Sequence, residues 1–237
     1  MFLLAFHLVL IVRVLSRNCF VVKHVSRPYL LYIKILIYKY MQLRFILFRD
    51  ILKDVSGVFV EVGTCFGGFA DFLLSNTKCT KMYCIDPYKN FSPDVYKDTL
   101  NSYTPDDYDK KYRYVWSLLK RKFGDKVEMI RTTSVEAAEL FADKSVDVCY
   151  IDANHEFEYV KKDILAWLPK IKAGGMLCGD DVESLDPPHE NSSIRIDHEG
   201  GAFNYCGVHA ALVSIKKELP WFDYKIVGNQ WIFNVPN

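Results

Sequence analysis

Val58-Phe59-Val60-Glu61-Val62-Gly63-Thr64-Cys65-Phe66-Gly67 is the stretch on which the fold turns. An apolar, β-branched run breaks at a glycine turn, and a helical pattern of Phe69, Phe72 and Leu73 follows. That is the order of a first βα unit in a sheet of nucleotide-binding type, where glycines let the backbone approach a ligand at a helix N-terminus. Twenty-three residues beyond Gly63, the strand Lys81-Met82-Tyr83-Cys84-Ile85 delivers Asp86. A carboxylate about 20 residues past the first turn is placed to hold a pair of ribose hydroxyls. The expected ligand is an adenosine-containing cofactor.

What the turn lacks narrows the choice. A dinucleotide fingerprint needs a second glycine to admit a pyrophosphate, whereas this turn carries Cys65 at its middle position. No Lys-Ser/Thr pair of the Walker type follows, and Glu61 before the first glycine repels phosphate while suiting a ligand with an amino group. A third cluster lies further on. Ser145–Ile151 reads as a buried strand ending in Asp152-Ala153-Asn154-His155. The next helix carries Tyr159, Val160, Ile164, Trp167, Leu168 and Ile171 on one face, and Gly174-Gly175 is read as its stop. Met176-Leu177-Cys178 then forms a short strand ending in Gly179-Asp180-Asp181.

On these three motifs the sequence resembles the class I S-adenosylmethionine-dependent methyltransferases, whose first motif is E-x-G-x-x-x-G. The block from Val146 to Asp181 looks like the I-D-x-x-H … G-G … D-D block of small-molecule O-methyltransferases, including sugar O-methyltransferase and cephalosporin-hydroxylase-like branches. The likeness covers about residues 50–185, and 200–237 in outline. It implies an α/β fold: a Rossmann-like, doubly wound, seven-stranded and mostly parallel sheet with helices on both faces and a last strand running antiparallel. The strand-like runs Trp221–Val227 and Gln230–Val235, joined at the hairpin signal Gly228-Asn229, suit that ending. The implied reaction is transfer of the S-adenosylmethionine methyl group to a hydroxyl oxygen of a small molecule or sugar. The alternatives are a nicotinamide-dependent oxidoreductase and a non-catalytic S-adenosylmethionine-binding module on the same fold.

Carried over residue by residue, the resemblance places the cofactor against Glu61, Gly63, Thr64, Phe66, Gly67, Asp86, Pro87, Tyr88, Ser134 and Asp152. Ser134 has two readings, an adenine contact or a helix N-cap. Asp152, Asp180 and Asp181 are carboxylates at neighbouring strand ends, and hard oxygen ligands suit Mg²⁺ or another divalent cation. The competing reading gives Asp152 to the cofactor and Asp180 to a loop cap, with no metal. His155 and Asp152 are the candidate catalytic residues: a histidine at a helix start, kept neutral by the dipole, suits general-base work on a hydroxyl. A structural histidine bonded to its loop is the other reading. His209 is expected to pack. Asp186-Pro187-Pro188-His189 imitates an amino-methylation signature, but in the wrong place, and reads as loop stiffening.

Charge divides the chain. Residues 1–49 hold eight Lys or Arg and no Asp or Glu, leaving 22 basic against 29 acidic residues in 50–237, a net of −7. An acidic domain is poorly suited to gripping a phosphate backbone, so nucleic acid is not expected as substrate. We therefore divide the chain into a basic apolar segment, 1–48, and a catalytic domain, 49–237. Three readings of the segment stand: a membrane-surface anchor, helices that cover the sheet or build a homodimer contact, or a translation start at Met41. No apolar run in it reaches the ~20 residues of a bilayer span. Seven cysteines form no C-x-x-C pair, which points to a reducing, cytoplasmic setting, with peripheral membrane contact through residues 1–40 under the anchor reading. The irregular stretches 90–109 and 183–205 are expected as lids.

Overall fold

The structure is a computed structural model and describes residues 44–92, 96, 101, 103–182, 194–197 and 203–237. Residues 1–43 and the Asp186–His189 stretch lie outside the described residues, as do much of both expected lids.

A helix over residues 44–52 (α1) precedes strand β1, Ser56–Val62. Then follow α2 (Gly68–Asn76), β2 (Lys78–Ile85), α3 (Pro105–Phe123), β3 (Val127–Ile130), α4 (Ser134–Ala138) and β4 (Val146–Ile151). The chain continues through α5 (Phe157–Trp167), β5 (Ile171–Gly179), β6 (Ile194–Asp197), β7 (Phe203–Cys206), α6 (Val208–Glu218), β8 (Lys225–Val227) and β9 (Gln230–Asn234). Seven strands form one sheet in the order β3-β2-β1-β4-β5-β9-β8, while β6 and β7 pair separately. The first five of these are parallel, and β9 runs antiparallel to β5 and β8. This is the Rossmann-like sheet that the motifs imply.

Period-two alternation along each strand feeds two separate cores. Val60, Val62, Cys149, Ile151, Leu177 and Phe233 join one apolar cluster with Val160, Ile164 and Trp167 of α5 and Leu212 and Ile215 of α6. Their neighbours Phe59, Val148, Tyr150, Cys178 and Ile232 join the other, with Phe48 and Leu52 of α1, Phe69 and Leu73 of α2, and Val115 and Leu119 of α3. Helices thus cover both faces. Helix α1 belongs to this core: Phe48 and Leu52 are fully buried, so the division after residue 48 falls inside a packed helix.

Three local readings change. The helix after β4 ends at Trp167 rather than running to Gly174-Gly175, because Pro169 cannot continue it. Ile171 and both glycines belong instead to β5. The strand before the hairpin starts at Lys225 and not at Trp221, since Leu219–Asp223 turns on itself through Phe222 N to Leu219 O and Asp223 N to Trp221 O. Gly228 supplies the hairpin turn at φ 66°. His209 is buried on α6, as expected for a packing residue.

Candidate functional site

Strand register brings the candidate residues together. Val62 pairs with Ile85 on one side and Ile151 on the other, and Ile151 pairs with Gly179. The next residue of each strand, Gly63, Asp86, Asp152 and Asp180, therefore lies side by side at the carboxyl edge. In open α/β sheets ligands bind at this edge, where strand order reverses. Here the order reverses at β1, from which the chain runs out to β2 and β3 and returns to β4.

Gly63 is required at its place. Its φ is 89°, its N–H donates to Ile85 O at 2.8 Å, and an added Cβ would lie 1.9 Å from Asp152 O. Cys65 stands where a dinucleotide fingerprint has glycine, and it too adopts a left-handed backbone at φ 52°. Tyr88 and Asp181 share that conformation at φ 42° and 62°. Strained non-glycine residues gather at sites whose surroundings impose them.

Asp86 accepts backbone N–H bonds from Cys65 at 2.9 Å and Tyr88 at 2.8 Å, one on each oxygen. Burial nevertheless pushes its pKa up. The Tyr88 hydroxyl donates to Cys65 O at 2.9 Å, and Arg131 donates to Tyr88 O at 2.6 Å, so the turns after β1 and β2 are tied together. A cavity of about 360 Å³ opens over them, within the range of small-ligand sites.

Of the expected cofactor residues, Gly63, Asp86, Pro87, Tyr88, Ser134 and Asp152 line this cavity. Glu61, Thr64 and Gly67 lie buried beside it, while Phe66 is 55% exposed and lies against the Lys111 ammonium instead. Ser134 is not the N-cap. Thr133 takes that place, its N–H donating to Glu136 Oε2 at 3.2 Å. The Ser134 hydroxyl accepts from Trp167 Nε1 at 3.1 Å and bonds Asp163, a buried cavity-lining acid whose pKa burial pushes up to about 7.

The acidic cluster is organised by a residue that the motifs do not announce. Arg44 of α1 places Nη1 3.1 Å from Asp152 Oδ2 and 2.7 Å from Asp180 Oδ2. Its guanidinium carbon lies 4.2 Å from the Phe69 ring centroid and 5.0 Å from that of Tyr150. Asp180 Oδ1 accepts from the Asp181 N–H at 2.7 Å and from the side-chain amides of Asn229 and Gln230. His155 bridges the remaining acids, with Nε2 3.2 Å from Asp152 Oδ1 and Nδ1 3.2 Å from Asp181 Oδ2. It precedes α5, whose N-cap is Glu156, so two carboxylates rather than the helix dipole dominate its surroundings.

These contacts set the charges. Burial opposes ionisation of Asp152, but the His155 hydrogen bond and the Arg44 charge hold its pKa below the usual carboxylate value. Burial and neighbouring Asp181 push Asp180 up to about 6. Glu61 is pushed up to about 8 by burial, and its Oε2 has no hydrogen-bond partner among the described residues. Arg44 is driven the other way: burial opposes its charge, yet Tyr150, Asp152 and Asp180 raise its pKa.

The expected metal set of Asp152, Asp180 and Asp181 does not fit a divalent ion as arranged. Asp180 already takes four protein donors, from Arg44, the Asp181 N–H, Asn229 and Gln230, and Asp152 shares the same guanidinium. Asp152, His155 and Asp181 do present donor atoms within 4.8 Å of one another, but the imidazole itself links the two acids. Arg44 was hidden in the basic segment. Its signals were the Phe45, Phe48, Leu52 spacing of an amphipathic helix and the need of buried strand-end acids for a cation.

A family model described as a methyltransferase domain matches residues 60–182. No curated protein matches the chain in sequence. An rRNA methylase from Streptococcus thermophilus is similar in fold, with 9% identity and a TM-score of 0.50 over 83% of this chain and 96% of that one. So is a 1,6-didemethyltoxoflavin-N1-methyltransferase from Burkholderia thailandensis, solved with S-adenosylhomocysteine, with 12% identity and a TM-score of 0.50 over 92% and 94% of the two chains. No described helix is long and apolar enough to cross a membrane.

Proposed function

Since this chain belongs to the methyltransferase-domain family and is thereby an S-adenosylmethionine-dependent methyltransferase, we propose that its acceptor atom is a hydroxyl oxygen of a small molecule or sugar. The observation that carries this reading is Asp152: it lines the cavity, is held ionised, and has His155 bonded behind it. Oxygen nucleophiles need a proton acceptor as the new bond forms, and a carboxylate–imidazole pair at the cavity wall supplies one. Family membership sets aside the nicotinamide alternative.

When bound, the cofactor supplies a methyl group on a positively charged sulfur, and positioning provides most of the rate. Asp86 would hold the ribose diol, and Gly63, without a side chain, would leave the backbone after β1 open to the cofactor. Ser134 and Asp163 stand at the cavity wall beyond Asp86, where a base can be read. Asp86 and Asp152 set carboxylates in the cavity wall, favouring a cationic ligand over a phosphate. As the acceptor oxygen attacks, its proton passes to the Asp152–His155 pair. Nothing in this sequence of roles requires a divalent ion.

The test is methyl-labelled S-adenosylmethionine offered with panels of hydroxyl and amino compounds. The expected product carries label on oxygen, and Asp152→Asn lowers turnover by about 100-fold or more. Label found only on nitrogen, or an Asp152→Asn variant as fast as the parent, would refute the oxygen reading.

A further inference from the structure

We infer that Arg44 is the resident cation of this site, its guanidinium taking the place of a divalent metal between Asp152 and Asp180. The inference rests on the proposed reading of the cleft as the transfer site, and it makes Arg44 a positioning residue for Asp152.

The geometry is that of a built cation site. One guanidinium nitrogen reaches an oxygen of each acid, at 3.1 and 2.7 Å. The planar cation lies against the Phe69 and Tyr150 rings, which favour its charge. Tyr150 Oη donates to Gln230 Oε1 at 2.7 Å, and Gln230 Nε2 donates back to Asp180. Arg44, Asp180, Gln230 and Tyr150 therefore form a closed ring of contacts that joins α1 to β4, β5 and β9. Helix α1 cannot easily swing away, because Phe48 packs on Phe69 and Tyr150 at centroid distances of 5.5 and 5.1 Å.

A hard divalent ion would need six or so oxygens at about 2.0–2.6 Å. Asp180 has none to give, its oxygens being held by Arg44, the Asp181 N–H and the two amides. An ion seated there would also lie against the guanidinium, and like charges in a desolvated site repel strongly. Buried paired acids do require a compensating positive charge. Here a side chain provides it, permanently and without uptake from solvent. One function of the charge is legible in Asp152, which stays ionised and faces the cavity despite its burial.

The test uses the full chain with Mn²⁺ and Mg²⁺ as probes. For the parent protein, calorimetry should show no Mn²⁺ or Mg²⁺ binding tighter than about 1 mM, and chelation should leave both melting temperature and S-adenosylhomocysteine affinity unchanged. Arg44→Met keeps the length and the contact with both rings but leaves the acids without their cation. It should bind Mn²⁺ at least about tenfold more tightly than the parent and melt higher when Mn²⁺ is added. Arg44→Lys, which keeps the charge, should not gain Mn²⁺ binding. Tight Mn²⁺ binding by the parent, or an Arg44→Met protein indifferent to Mn²⁺, overturns the inference. Should Arg44→Met not fold, the parent titration decides alone: heat refutes the inference and its absence upholds it. A parent that binds no S-adenosylhomocysteine defeats the functional reading instead, while leaving the metal titration fully interpretable.

Discussion

Asp86 receives two backbone N–H bonds and still has lone pairs directed at the cavity, since an ionised carboxylate offers about four acceptor sites. Replacing it would remove the charged partner proposed for the ribose diol and the hydrogen bonds to Cys65 and Tyr88. Asp86→Ala should therefore weaken S-adenosylhomocysteine binding by about 1.5–3 kcal/mol, roughly 10- to 150-fold. Titration calorimetry measures this directly, and a loss below about threefold would place the ribose elsewhere. Asp86, Gly63 and Asp152 were legible in the sequence, because each follows a strand whose apolar run announces its own end. Arg44 was not, because the amphipathic spacing around it marks a helix but does not say which of the eight basic residues before residue 50 meets the acids. Its partners lie 108 and 136 residues away.

At the scale of elements, α1 is the piece that a reading by motif places least well. Its charge belongs to the basic segment, yet its apolar side is fused to the core through Phe48 and Leu52. A chain beginning at Met41 retains all described residues of α1 and should fold and bind S-adenosylhomocysteine as the full chain does. A chain beginning at residue 53 loses two fully buried side chains and the Arg44 clamp, and should be insoluble or molten. Phe48→Ala offers the graded version: a cavity under Phe69 and Tyr150 should cost about 3–5 kcal/mol, lowering the melting temperature by roughly 10 °C. Equal melting of Phe48→Ala and the parent would show that α1 is dispensable. Boundaries elsewhere moved for local reasons, as at Pro169, where a ring without an N–H ended a helix that hydrophobic spacing alone would have extended.

For the whole molecule, the buried acids govern stability against pH. Glu61, Asp163 and Asp180 are raised to about 8, 7 and 6 from ordinary values near 4. Above their ordinary values the unfolded chain releases these protons while the folded chain keeps them. Stability must then fall as pH rises through that interval, and level off only above the folded values. Asp152 works the other way, its contribution being lost in acid below its ordinary value. The ligand-free protein should accordingly melt higher near pH 5 than near pH 8.5, and Glu61→Gln should flatten the decline between them. A melting temperature that climbs over this range, or an undiminished slope in Glu61→Gln, would contradict the assignment.

The sequence by itself determined the βα motifs and the acid that closes each strand, and the family that these motifs resemble implied the seven-stranded, mostly parallel sheet. The motifs follow from apolar period, glycine and the residue after each strand, all of them local signals. Only the tertiary structure decided which charge neutralises the strand-end acids, which side chains sit behind Asp152, and that residues 44–52 pack on the core. Those depend on distances between residues far apart in the chain. A helix at the end of the basic apolar segment reaches the site because its buried Phe48 and Leu52 leave it no other position.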